Sequence, residues 1–145
     1  MLKTIPALLG PDLLWTLAAM GHGDEIVIAD ANFPGQSMGQ RCHRLDGVSA
    51  TETLEAVLKL FPLDTFVDEP ATVMQVVGDP DATPPAVAEF QTILDAAEGK
   101  PLGMARIDRF AFYDRARAAF AVLQTGETRL YGNVILKKGV IAPQA

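Results

Sequence analysis

Strand-type and helix-type segments alternate along this chain, and the alternation predicts an α/β fold built on one layered sheet. Three observations carry that prediction. A short apolar run, Ile26–Ala29, sits between a Gly-rich stretch and a Pro-Gly break, as a buried strand does. Two longer segments, Ser49 to Phe61 and Thr83 to Gly99, repeat apolar residues at helical spacing. The chain has 145 residues and no internal repeat, low-complexity segment or linker, so residues 1–145 have the length and texture of a single domain.

The elements follow in order. Pro11-Asp12 opens a helix, because proline suits the first turn and aspartate the positive end of the helix dipole. Leu13, Leu14, Leu17 and Ala18 continue it, and Gly21 ends it. The stretch Gly21 to Gly35 then reads as loop, strand, loop, with His22 just before the strand and Asp30 just after it. The loop from Ala31 to about Gly39 suits ligand binding; a plain connector is the alternative. Cys42–Leu45 reads as a short strand closed by Asp46-Gly47. Ser49 and Glu52 have capping-box spacing, and their helix runs to about Phe61, where Pro62 stops it. Thr72–Val77 is a strand ended by Gly78-Asp79-Pro80. Thr83-Pro84-Pro85 starts the helix carrying Val87, Phe90, Ile93 and Leu94 to Gly99. Gly103–Asp108 reads as strand, Phe110–Ala116 as a short helix or turn, and Ala119–Gln124 as strand. Leu130–Leu136 is the last strand, before Lys137-Lys138-Gly139.

Composition narrows the partners. Twelve basic against eighteen acidic side chains give a net charge of −6, which argues against nucleic acid and against an anionic membrane surface. The single cysteine, Cys42, excludes an internal disulfide and suits a reducing compartment. Met1 to Leu9 shows no signal-peptide pattern, and no apolar stretch approaches the ~20 residues of a membrane span, so a soluble cytoplasmic protein is expected. Hydrophobic residues make up 49% of the chain, and some of that surface is expected to be covered by other subunits.

Several chemistries lack their signatures. There is no G-x-x-x-x-G-K-[ST], no G-x-G-x-x-G after a strand, and no G-x-S-x-G. His22, Asp24, Cys42 and His43 are the one set of metal-ligand types, but Cys42 and His43 are adjacent and point to opposite faces of a strand, so no metal is expected. Other polar residues stand out, each with a plain alternative. His22 lies between glycines that leave its ring accessible; it could be a surface loop histidine. Asp30 could merely accept hydrogen bonds from its own loop. Arg109 could be a structural cation on the aromatics Phe110, Phe112 and Tyr113, of which Phe110 and Phe112 read as core. Tyr131-Gly132-Asn133 could simply begin a strand, and Lys137-Lys138 reads as a solvated end. Together Arg, His, Tyr, Asn and Asp are the groups that orient a small neutral sugar by hydrogen bonds.

Four segments, taken together, resemble the L-fucose mutarotase and D-ribose pyranase family: Met20–Ile26, Ala29–Pro34, Arg109–Tyr113 and Tyr131–Gly139. The likeness extends from Leu2 to Val140 and is nearer the fucose branch, because Arg109-Phe-Ala-Phe-Tyr113 and Tyr131-Gly132-Asn133 are written as that branch writes them; the ribose branch has a histidine in place of Arg109. The resemblance implies a three-layer α/β/α fold with a mixed central sheet. It implies sugar-anomer exchange without a cofactor, in a ring-shaped homo-oligomer, commonly a decamer, with sites completed across a subunit interface. It makes His22 the catalytic proton donor, and it makes Asp30, Arg109, Tyr131, Gly132 and Asn133 sugar-binding, with Tyr113 as a further candidate. The loop from Gly35 to Arg44 departs from the family pattern, with His43 where an apolar residue is expected, and this bears on sugar preference.

Anomer exchange opens the sugar ring and closes it on the other carbonyl face, which needs only general acid–base catalysis. Imidazole, with an ordinary pKa of about 6.5, exchanges protons near neutral pH. Asp30 could orient that imidazole or grip a hydroxyl. Arg109 cannot act as a base and must bind or stabilise charge. L-Fucose is the expected sugar. D-Ribose, or a non-catalytic monosaccharide-binding module, is the alternative.

Overall fold

A computed structural model describes residues 1–145. Six strands form one sheet: β1 (Glu25–Ala29), β2 (Cys42–Leu45), β3 (Ala71–Met74), β4 (Met104–Ile107), β5 (Ala121–Thr125) and β6 (Val134–Lys137). Their order is β2-β5-β1-β6-β3-β4. β6 runs antiparallel to both neighbours, β1 and β3, while every other pair is parallel. The sheet is therefore mixed.

Period-2 alternation sorts the side chains into two apolar layers. Ile26 and Ile28 of β1, Leu123 of β5 and Leu136 of β6 face a 22-residue core with α1 (Pro11–Ala19), α3 (Ala50–Leu58) and α4 (Pro85–Glu98). Val27, Ala29, Val122 and Ile135 face a 9-residue core with Phe112 and Ala116 of α5 (Arg109–Ala118). Helices on both faces make three layers, and the second face is the more thinly covered. That face also holds an ion pair, Arg115 to Glu25, with Arg115 donating to Thr72 Oγ1 at 3.0 Å, which fixes α5 to β1 and β3.

Local chemistry sets most boundaries. The capping box of α3 forms on both sides: Glu52 N–H donates to Ser49 Oγ at 3.2 Å and Ser49 N–H to Glu52 Oε2 at 3.0 Å. Gly99, at φ 68°, ends α4 in the left-handed conformation that glycine tolerates. Asp108 caps α5, accepting from the N–H groups of Phe110 and Ala111 at 3.0 and 3.1 Å, so this segment is a full helix rather than a turn.

Most boundaries lie within two residues of expectation; the larger departures are these. α3 ends at Leu58, and Leu60 and Phe61 close a last turn onto the Val57 carbonyl before Pro62. β3 ends at Met74, because the chain turns over Val76–Asp79 with Gly78 at φ 81° and leaves Val77 exposed. The loop after β1 contains a one-turn helix, α2 (Gly35–Met38), seated where Gly35 N–H donates to the buried Gln124 side chain at 3.0 Å. β6 starts at Val134, not Leu130. Tyr131 takes φ 61° and Asn133 N–H bonds the Tyr131 carbonyl at 2.8 Å, a tight turn that breaks extended pairing. Lys138 is also not a solvated end. Its ammonium donates to the carbonyls of Leu17 and Met20, satisfying the C-terminus of α1.

Candidate active site

The first turn after β1, the loop before β6 and the start of α5 meet at one end of the sheet. There Asp30, Asn32, Phe33, Met74, Arg109, Tyr113, Leu130, Tyr131 and Asn133 line an open cavity of about 210 Å³. That is below the ~300 Å³ at which drug-sized sites begin, so it suits a compact ligand.

Asp30 is the anchor of this cavity. It is 5% exposed, and Asn32 N–H donates to its Oδ1 at 3.0 Å. The N–H groups of Phe33 and Gly132 and the Asn133 side chain also face the carboxylate. Burial is the largest influence and pushes its pKa above the ordinary 3.8, against the opposing hydrogen bonds. The backbone here is held as firmly as the side chain. Asp30 N–H donates to Asn133 Oδ1 at 2.8 Å, and the Asp30 carbonyl accepts from Gln124 Nε2 at 2.8 Å. Asn133 thus has a structural task in joining β1 to the loop before β6, and Gln124 braces the loop from beneath.

The other cavity groups are free to meet a ligand. The Tyr131 hydroxyl accepts from Val77 N–H at 3.1 Å, which leaves its own proton to donate. The Arg109 guanidinium has no carboxylate partner and lies 4.9 Å from the Phe110 ring centroid. Phe110 is 68% exposed, so the pair is a surface contact and not core packing; Phe112 alone of the two is core. Tyr113 stands edge-on to Phe33 at 5.6 Å, and Phe33 edge-on to Phe112 at 5.9 Å, which seats the apolar wall on the thin core.

His22 is elsewhere. It precedes β1, at the opposite end of the sheet from Asp30. Its Nε2 lies 3.1 Å from Asp64 Oδ1, and its ring centroid 5.3 Å from that of Phe66. Asp64 also accepts from Phe66 N–H at 3.0 Å; that bond first, then the imidazole, holds its carboxyl below the usual range. Asp64 itself is buried while His22 is exposed. Asp30 therefore does not orient the imidazole of its own chain; Asp64 does. Asp64 lies 42 residues from His22 and carries no motif, so no local pattern pairs the two. Its one local sign is a carboxylate directly after the apolar run Phe61-Pro62-Leu63. Asn32, Phe33, Met74 and Leu130 are likewise ordinary loop or core types until the fold assembles the cavity.

His43 is held by Thr16 Oγ1 at 2.7 Å and is not among the residues of either site. No three His, Cys, Asp or Glu side chains converge on a common point. No helix is long and apolar enough to cross a membrane.

Comparison with known proteins places the whole chain among relatives of the same fold. A family model described as the RbsD / FucU transport protein family matches residues 3–141. The fucose mutarotase of Homo sapiens is 53% identical over 147 residues, covering 97% of this chain and 95% of that protein. The crystal structure of the fucose mutarotase from Streptococcus pneumoniae in complex with L-fucose superposes with a TM-score of 0.91 at 43% identity, over 97% of this chain and 100% of that one. Bacillus subtilis RbsD complexed with D-ribose superposes with a TM-score of 0.71 at 23% identity, over 98% of this chain and 100% of that one, which speaks for the fold alone. The four motifs, the mixed three-layer sheet and the full-length match lead to one assignment: this chain belongs to the RbsD / FucU transport protein family.

Proposed function

We propose that this protein is a fucose mutarotase, an isomerase that exchanges the α and β anomers of L-fucose. The observation that carries the reading is the cavity at Asp30. It surrounds a small volume with a carboxylate, a tyrosine hydroxyl, an amide and an unpaired guanidinium, a set suited to a neutral polyol. Relatives named fucose mutarotase, one of them solved with L-fucose, support the choice of sugar.

The chemistry needs two coupled proton transfers: one to the ring oxygen, one from the anomeric hydroxyl. Closure on the other face reverses both. In our reading His22 gives the proton to the ring oxygen. Asp30 grips a sugar hydroxyl, Arg109 and Asn133 hold others, and Tyr131 donates its free proton. The Gly132 backbone lies against the sugar, and Tyr113 borders it. No cofactor enters the scheme.

This assignment requires two copies of the chain. β1 alone separates its ends by about 13 Å, four rises of ~3.3 Å, and His22 and Asp30 lie beyond those ends. A monosaccharide cannot touch both. We propose that His22 of one subunit enters the Asp30 cavity of the next. In our reading the contact is head-to-tail, the kind that forms a ring when its rotation closes. Exposed apolar side chains flank both halves: Phe66 beside His22, and Val77, Phe110 and Leu130 around the cavity. A homo-oligomeric ring, decameric as in the family it resembles, would cover them. We place the enzyme in the cytoplasm, where the lone Cys42 remains a thiol.

Two-dimensional exchange NMR on the anomeric protons of L-fucose tests the function. Exchange cross-peaks that appear only with protein are expected; line broadening without faster exchange would leave a binding module. D-Ribose, run in parallel, tests the alternative substrate. Arg109→His is expected to shift the ratio of fucose to ribose exchange toward ribose by roughly tenfold, since a guanidinium's fixed donor fork is lost. An unchanged ratio removes Arg109 from sugar choice. Asp64→Asn, which keeps shape but loses the charge facing His22, is expected to slow fucose exchange roughly tenfold with the melting temperature little changed. A wild-type rate in that variant would reduce Asp64 to a fold contact.

A further inference from the structure

Tyr131, Gly132 and Asn133 form a strained platform. Tyr131 is a non-glycine residue at φ 61°, and a Cβ on Gly132 would stand 2.7 Å from Glu127 Cγ. Something must hold that backbone, because a left-handed tyrosine relaxes if its surroundings allow it. The group beneath it is Glu127, whose side chain is 4% exposed.

Every oxygen of Glu127 is engaged. Oε1 accepts from Arg129 N–H at 3.0 Å and from Arg129 Nε at 2.9 Å, while Oε2 accepts from Arg129 Nη2 at 3.0 Å. The Ala50 N–H, at the start of α3, also faces this carboxylate. Its carbonyl accepts from Ala31 N–H at 2.9 Å, next to Asp30. Its own N–H donates to Thr125 Oγ1 at 3.2 Å, and Thr125 in turn donates to the Ala29 carbonyl at 2.7 Å. Arg129 reaches outward as well, with Nη1 2.9 Å from Glu89 Oε1 in α4.

We infer that Glu127, Arg129 and Glu89 form a positioning clamp that presets the Tyr131–Asn133 platform against Asp30, so that the sugar meets an already ordered surface. The inference rests on the proposed sugar site, and none of the three residues need touch the sugar. A two-pronged Arg–carboxylate pair is suited to the task because it fixes angle as well as distance. The clamp joins the loop to β1 through Ala31 and Thr125, to α3 through Ala50, and to α4 through Glu89. Platform contacts are made in ground state and transition state alike, so loosening them weakens binding more than turnover.

The test uses the assembled protein, with L-fucose affinity from calorimetric titration and turnover from exchange NMR. Arg129→Met is expected to weaken L-fucose binding and raise the half-saturation concentration by about tenfold, with the rate at saturating sugar within about twofold of wild type. Glu89→Gln, which removes the outer leg alone, is expected to cost about threefold or less. Wild-type affinity in a folded Arg129→Met overturns the clamp. If that variant does not assemble, Arg129→Lys and Glu127→Gln serve instead, since both lose the two-pronged pair; unchanged affinity in both overturns it equally. If wild-type protein neither binds nor exchanges L-fucose, the functional reading fails by itself. The clamp is then judged by amide hydrogen exchange at Tyr131, Gly132 and Asn133. These amides are expected to exchange about tenfold faster in Arg129→Met while β1 stays protected; no change there overturns it.

Discussion

His22→Ala is expected to lower protein-catalysed L-fucose anomer exchange by about 10²–10⁴-fold while the fold and L-fucose binding at the Asp30 cavity persist. The range is what a positioned proton-transfer group contributes. The fold should survive because His22 is exposed and its one polar partner, Asp64, keeps its bond from Phe66 N–H. Exchange NMR gives the rate and circular dichroism the fold; a variant at full rate would remove His22 from the mechanism. The same variant also tests where the site lies. Mixed with Asp30→Asn by dissociation and reassembly in equal amounts, it should regain about a quarter of wild-type activity. In a head-to-tail ring about one site in four then draws its histidine from an Asp30→Asn chain and its aspartate from a His22→Ala chain, and so has both side chains intact. Two inactive variants that stay inactive after mixing would mean that no site is shared in this way.

Asp30→Asn carries the second large effect, an expected loss of about 10²-fold or more in exchange, because an amide cannot hold a hydroxyl as a charge-assisted acceptor. Its wild-type counterpart should leave a mark on the pH profile. Burial raises the Asp30 pKa, so the carboxylate forms at a higher pH than the ordinary 3.8. Activity that depends on the ionised form is present above the raised value and falls as pH drops through it. The acid limb of exchange should therefore lie above the ordinary carboxylate range and vanish from the residual activity of Asp30→Asn. An acid limb at or below 3.8 would contradict this. For stability the sign is opposite: a folded pKa above the unfolded one favours the protonated group. Its contribution is thus fully present below the unfolded pKa and is lost as pH rises through the folded one. Asp30 costs the folded protein stability at neutral pH, as a residue kept for function does.

The elements were legible because their signals are short-range. The Ser49–Glu52 box, Pro84-Pro85 ahead of α4, Gly99 behind it and the apolar run of β1 act within a few residues, and each appears in the structure where the chain places it. The misread boundaries lie where a distant group decides. Leu130–Asn133 has strand-like residues, yet the buried Glu127 and the close approach at Gly132 bend it into a turn. Gly35–Met38 winds into a helix on Gln124, a residue 89 positions away.

By itself, the sequence determined the main strands and helices and their order along the chain, the caps of α3 and α4, the residue types suited to a neutral sugar and the family likeness. Those depend on local propensity and on motifs whose chemistry is intrinsic. The tertiary structure alone decided that Asp64, 42 residues away, faces His22, and that Asn133, 103 residues away, ties down Asp30. It also decided that Lys138 caps α1, and that Glu127 lies beneath the Tyr131–Asn133 turn. The reason is the strand order. With β6 inserted antiparallel between β1 and β3, its start lies beside the end of β1 and its end beside the start. One crossover thus places the late chain at both sites, an arrangement no local signal encodes.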